Sequence, residues 1–332
     1  MKIIFSESSN LNNSIYGNCQ APIKMFLEKR GEDFEQNSVL KNLFLMGSSK
    51  NYADMMTTLT AMSGFEPVGE NGAYPLDGMQ EGYQKLLKYQ TWKDSFSVSK
   101  EMVEDGKLLD MRKQPAAFMT SYNRTRELFG AALYGAAMMG NGSVTFKGVK
   151  FDLTGADGSN LFAKEHAPKV SGDKQCNLFK DAFSVDALGK LETKMHLFRG
   201  DNDEILDVAP DTILIPENAE LKKAVFAAIG ADKDPVTANN AFNYQYGRWN
   251  VIVWPYLNHY ITNGVSPWVL LDSKYNETYG GAVWNDRIQL EVRSTIDENT
   301  DANVWRGRSR FNACFNDWRF AAIGGIAAGN SL

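Results

Sequence analysis

Apolar positions along this chain follow three rhythms. In 1–65 they recur in short clusters at i, i+3, i+4 spacing: Ile23, Phe26 and Leu27; Val39, Leu40, Leu43 and Phe44; Met55, Met56, Leu59 and Met62. Each cluster predicts an amphipathic helix of two or three turns. Helices so short need a surface to lie on. The segment therefore reads either as an ordinary helical subdomain or as an arm that packs on its own body or on a neighbouring chain.

The rhythm changes over 66–108. Gly69, Gly72, Gly78 and Gly82 punctuate its first half with Pro67 and Pro75. In the second half Trp92, Phe96, Val98 and Met102 share one parity and Ser95, Ser97, Ser99 and Glu101 the other, as in a half-buried strand. This predicts a long two-stranded ribbon. A lone hairpin is marginal in water, so the ribbon should dock on something else. The helical period then returns over 115–139, with Pro115 in the first turn and Phe118, Tyr122, Phe129, Leu133 and Ala136 on one face. Alanines and glycines keep that helix thin until Gly140-Asn141-Gly142 ends it, giving a spine about 35–40 Å long.

From 144 onward strands and helices alternate. A small hairpin is predicted around Gly148 and helices over 185–198 and 218–229, the second capped by Asn218. Apolar runs at 211–216, 250–254 and 267–271 predict buried strands, so 183–284 reads as a mixed α/β lobe. Residues 287–295 alternate cleanly, and after a polar stretch Phe311, Ala313 and Phe315 oppose Arg306, Arg308 and Arg310. That arginine face suits carboxylates of a partner chain, or phosphates, or the charge with which an edge strand resists aggregation.

Composition narrows the function. At 332 residues the chain is long for one core, so two lobes or a lobe with extensions are expected. Hydrophobic residues at 43% and charged residues at 23% mark a globular protein. A net charge of −5 argues against a surface that grips nucleic acid throughout. No apolar run approaches a membrane span, and no secretory signal opens the sequence. Three unpaired cysteines, Cys19, Cys176 and Cys314, fit a reducing cytosol, and three histidines leave little room for zinc chemistry.

Chemical motifs are sparse. There is no dinucleotide fingerprint, Walker loop, zincin, nucleophile-elbow or paired-cysteine motif. Gly140-Asn141-Gly142-Ser143 reads as a turn, Glu165-His166 with Cys176 as a loop-satisfied or buried pair, and Arg199-Gly200-Asp201 as a charged turn. Asp201, Asp203 and Glu204 read as solvated acids. A carbohydrate-active enzyme with an aromatic cleft stays open on 7 Trp, 13 Tyr and 19 Phe, although no carboxylate pair identifies itself.

The order of parts is arm, ribbon, spine helix, α/β lobe and return strands. With Asp157-Gly158, Leu161-Phe162, His166 and Pro168, then Gln175 and Asn177, Asp211 to Pro216, Val251 to Leu257, Trp268 to Asp272, and Arg308, Arg310 and Asp317-Trp318-Arg319, the chain resembles the major capsid proteins of tailed bacteriophages. Their shared architecture is the Hong Kong ninety-seven fold, and the Mu-like major head subunits are the nearest group. The resemblance covers most of 66–332. It implies an α+β fold with an N-terminal arm at 1–65 and an extended loop at 66–108. It implies a peripheral domain at 109–182 and 285–332 and an axial domain at 183–284. It further implies no catalysis and no cofactor or metal, but pentamers and hexamers closing an icosahedral shell around double-stranded DNA held weakly and without sequence preference. Partners would be other copies of the chain, a separate scaffolding protein, a portal and a decoration protein, with no membrane. Assembly would occur in the bacterial host cytoplasm, for residence in the virion. The arm, short from Met1, would escape cleavage. Inter-subunit contacts are expected from Phe26, Lys85, Trp92, Phe96, Arg306, Arg308 and Arg310. The Lys–Asn cross-link of some relatives is not expected from Lys85, Lys88 or Lys93, because no acceptor motif stands out. An encapsulin-like compartment of the same fold is the alternative.

Overall fold

A computed structural model describes residues 3–8, 11, 13–59, 65, 67–70, 72–74, 76, 81–106, 108–170, 172–230, 243–262 and 264–326. Met62, Pro75 and Gly78 lie outside them. The chain opens with strand β1 (Ile4–Glu7), helix α1 (Gly17–Asn37), the single turn α2 (Leu40–Leu43) and strands β2 (Leu45–Ser48) and β3 (Ala53–Leu59). Strands β4 (Glu81–Lys88) and β5 (Gln90–Val98), the short helix α3 (Lys100–Glu104) and the spine α4 (Leu108–Met138) follow. Next come the hairpin β6 (Ser143–Phe146) and β7 (Val149–Asp152), α5 (Val185–His196), β8 (Thr212–Ile215), α6 (Ala219–Ile229) and β9 (Asn250–Val253). Strand β10 (Trp268–Leu271), α7 (Ser273–Tyr279), and strands β11 (Ala282–Ile296), β12 (Asn303–Phe315) and β13 (Ala321–Gly324) complete an α+β fold.

The largest sheet gathers strands from both ends of the chain. Its order is β1-β11-β12-β5, with β2 also pairing in parallel with β11. The α4 spine crosses one face. Phe118 of α4 lies where a Cβ on Gly307 would sit, so only glycine at 307 admits the ring so close. The thinness of the spine works in the same way further along: a Cβ on Gly135 would come within 2.7 Å of Tyr260. A second sheet, in the order β13-β10-β8-β9, has β8 and β10 buried along their whole length, as their unbroken apolar runs require. Ser184 and Asn218 cap α5 and α6 by accepting from backbone amides. Lys147 and Gly148, both at positive φ, turn the predicted hairpin.

Several sequence expectations are corrected. Met55, Met56 and Leu59 lie on β3, not on a helix, because β4 supplies a ladder partner that a 3.6-residue reading cannot foresee. The two-stranded ribbon is therefore β3 with β4. Strand β5 leaves it and pairs with β12 over nine positions, Gln90 opposite Phe311 through Val98 opposite Asn303. Met102 belongs to α3, whose start Ser99 caps, so the strand parity stops at Val98. Pro115 sits inside α4, which begins at Leu108. Helix α1 runs 21 residues with Pro22 inside it, longer than the two or three turns expected. The cluster at Val39 to Phe44 makes only one turn. One continuous apolar core runs from Phe129 and Trp284 to Ile213 and Leu270, so the two lobes expected from length share a core.

Candidate assembly surfaces

The ribbon has two unlike faces. Tyr83, Lys85, Leu87 and Tyr89 turn toward the body. Lys85 pairs with Asp152 at 3.2 Å and donates to the Thr154 carbonyl, while Lys169 Nζ donates to the Gly82 carbonyl at 2.5 Å. On the opposite face Met55 and Leu86 are direct cross-strand partners, 62% and 52% exposed. At the ribbon's foot the Asp54 carboxylate accepts from Tyr89, Asn51, Ser49 and Asn285. Burial pushes that carboxyl up, but these hydrogen bonds outweigh it and hold it below the usual range.

The residues expected at subunit contacts divide. Trp92 stacks on Phe311 with ring centroids 5.2 Å apart, and Phe96 stacks on Trp305 at 5.9 Å. Both rings pack against their own chain because β5 is a sheet strand, so the outward ribbon face is carried by Met55 and Leu86 instead. Lys85 is likewise held within its own chain. Phe26 is half-buried beneath Arg30, whose guanidinium lies 5.7 Å from the ring. Arg306 and Arg308 stand exposed on β12, whereas Arg310 is half-buried and its Nε has no hydrogen-bond partner. Strand β1, which the sequence reading missed, binds the start of the arm to its own chain by pairing with β11 from Ile4 opposite Glu291 to Glu7 opposite Ser294. Four residues carry too short an alternation to announce a strand.

The chemistry-bearing residues serve packing. His166 is buried and stacks on Trp318 at 4.1 Å. Asn177 Nδ2 donates to the Leu161 and Ala321 carbonyls, which fixes its Oδ1 as an acceptor. His166 Nε2 lies 3.2 Å from that oxygen, and its Nδ1 lies 2.7 Å from Asp157 Oδ2. Cys176 instead contacts the Leu178 carbonyl at 3.3 Å. Asp201 is not solvated, as its neighbours suggested. It is buried against Arg319 at 2.9 Å, and Arg319 also holds Asp317 at 3.3 Å. This removes Arg199-Gly200-Asp201 from display. Trp254, Trp268, Trp284, Trp305 and Trp318 are all buried, so they line no aromatic cleft. Among the described residues no group of His, Cys, Asp and Glu side chains is placed to hold a metal ion.

No curated protein matches the sequence. Solved structures with similar folds include a virus-like particle from Pyrococcus furiosus, at 10% identity and a TM-score of 0.46, covering 91% of this chain and 97% of that one. Mycobacterium phage Patience gives 12% identity and 0.49, covering 92% and 89%. The procapsid of bacteriophage JBD30 gives 14% and 0.47, covering 93% and 75%. A family model described as phage capsid protein matches residues 83–324, from the ribbon strand β4 through the end of β13. That span takes in the spine, the second sheet, strands β5, β11 and β12 of the largest, and the buried His166 and Arg319 networks, and the chain belongs to the phage capsid protein family, a family of structural proteins rather than enzymes.

Proposed function

We propose that this capsid protein is a Mu-like major head subunit that forms pentamers and hexamers and closes an icosahedral shell around double-stranded DNA. The observation that carries the reading is the family match over residues 83–324, joined to a ribbon that exposes the apolar pair Met55 and Leu86. On this reading 109–182 and 285–332 form the peripheral domain and 183–284 the axial domain, with the extended loop bounded by the strands at Ala53 and Lys88. A separate scaffolding protein, a portal and a decoration protein would complete the head, assembled in the host cytoplasm and retained in the virion. DNA would be held weakly.

Met55 and Leu86 are the ribbon's proposed contact with a neighbouring subunit. Exchanging them for a charged cross-strand pair, Met55→Glu with Leu86→Lys, keeps the ribbon paired while removing its apolar face. Co-expression with the scaffolding protein and electron microscopy should show shells from the parent chain and folded, unassembled subunits from the double variant. Shells of normal yield from the variant would refute the ribbon contact. A parent chain that stays a 37.0 kDa monomer with scaffold present would refute the shell.

A further inference from the structure

The largest sheet turns one face to α4 and α1; the ribbon covers part of the other, at Asn312 and Cys314, and leaves the end at Arg306 and Arg308 open. Along β12, Trp305, Gly307, Ser309 and Phe311 lie beneath, while Arg306 and Arg308 point outward. The register sets Arg293 and Ser95 on either side of Arg306, and Glu291 and Lys93 on either side of Arg308. Strand β1 ends these rows with Ser6 and Ile4, both exposed. The result is an open groove of about 790 Å³. Its walls carry Lys93, Arg293, Arg306 and Arg308 against Glu291, while the Asp94 carboxylate at the rim accepts from Ser121 of α4. Glu291 lies 4.0 Å from Arg308, at the limit of an ion pair. Among the described residues Lys93, Arg293 and Arg306 have no ion-pair partner.

The end of the same sheet has the opposite charge. The β11–β12 turn carries Asp297, Glu298 and Asp301, and α3 adds Glu101, Glu104 and Asp105. These elements lie together. The Tyr16 hydroxyl donates to the Asp301 carbonyl, and after burial itself the charges of Asp301, Glu101 and Glu104 push that phenol up. Lys100 is the cation among them. Groove and acidic end belong to one sheet, so they cannot meet within a molecule. Between two molecules they meet head to tail, the arrangement that closes rings.

We propose that the groove lined by Lys93, Arg293, Arg306 and Arg308 receives the acidic end, Glu104 and Glu298, of a second copy of this chain. The inference rests on the shell reading. Forked guanidiniums on adjacent rows suit paired carboxylates. Glu291, set beside Arg308, would repel a continuous run of phosphates, and this favours a protein carboxylate over DNA.

Charge reversal tests it. In co-expression with the scaffolding protein, R306E/R308E and, separately, E104K/E298K should each lower shell yield by about ten-fold or more, because each opposes like charges across the contact. All four side chains are exposed, so the melting temperature of the subunit should hold. The chain carrying all four reversals should recover shells, which a misfolded subunit could not do. Normal assembly of R306E/R308E would overturn the proposal. Loss without recovery in the fourfold variant would overturn the assignment of the occupant. Normal assembly with reduced DNA content would give the groove to phosphates, again overturning it. A parent chain that forms no shell would instead count against the shell reading.

Discussion

Arg126 shows how closely single side chains are fitted. It forms a forked pair with Asp286 at 2.8 and 3.1 Å and lies about as far from the Trp284 ring, 4.9 Å, as from Phe311, 5.0 Å. Replacing it with alanine strands a carboxylate and empties the aromatic slot. Arg126→Ala should cost about 3–5 kcal/mol in denaturant unfolding. Its neighbour Glu127 behaves oppositely. Burial pushes its carboxyl up, against hydrogen bonds from Ser38 and Trp254. A raised carboxyl contributes stability fully at pH below its unfolded value, about 4.3, and loses it as pH rises through the folded value. Glu127→Gln, which keeps an acceptor and cannot ionise, should melt above the parent at neutral pH, with the gap closing toward about pH 4. A constant gap across that range would contradict the burial argument.

At the scale of elements, the contact between α4 and β12 depends on a missing side chain. A Cβ on Gly307 would lie 2.3 Å from the Phe118 ring. Gly307→Ala should therefore destabilise by about 1–3 kcal/mol, and Phe118→Leu in the same chain should recover part of the loss in melting temperature. Elements that declare themselves locally were readable in the sequence. The Asn218 cap of α6, the hairpin around Gly148 and the arginine alternation of β12 each need only their own residues. Strand β5 could be read as a strand, but not as a member of the main sheet. Its partner lies about two hundred positions away, and no local pattern records a pairing. The Met-Met-Thr-Thr-Leu run of β3 fits a helical period as well as a strand, and only β4 decides between them. The His166 and Arg319 networks stayed hidden for the same reason: Asp157, Asn177, Asp201 and Asp317 look like loop residues until the fold brings them together.

At the scale of the molecule, one large apolar cluster spans the two lobes its length suggested, with smaller clusters under α1 and under the ribbon. Because the apolar cluster passes from the spine into the second sheet, neither lobe has a complete interior of its own. Calorimetry of the unassembled subunit should show a single transition whose calorimetric and van't Hoff enthalpies agree. Two resolved transitions would mean that the lobes unfold separately.

The parallel pairing of β1 with β11 also sets the order in which the subunit can be made. The first described strand of the chain must wait for residues 282–296 before it has a partner, and β5 must wait for 303–311. While the polypeptide leaves the ribosome, its amino-terminal half therefore carries open strand edges that nothing yet synthesised can close. Strand β12 brings Arg306 and Arg308 after every other strand of that sheet, so the groove is finished only once β12 has been made. A ribosome that stalls halfway releases a fragment without that groove. The fold thus admits only chains that have passed β12 to the contact proposed for it, a form of quality control that needs no chaperone to read it.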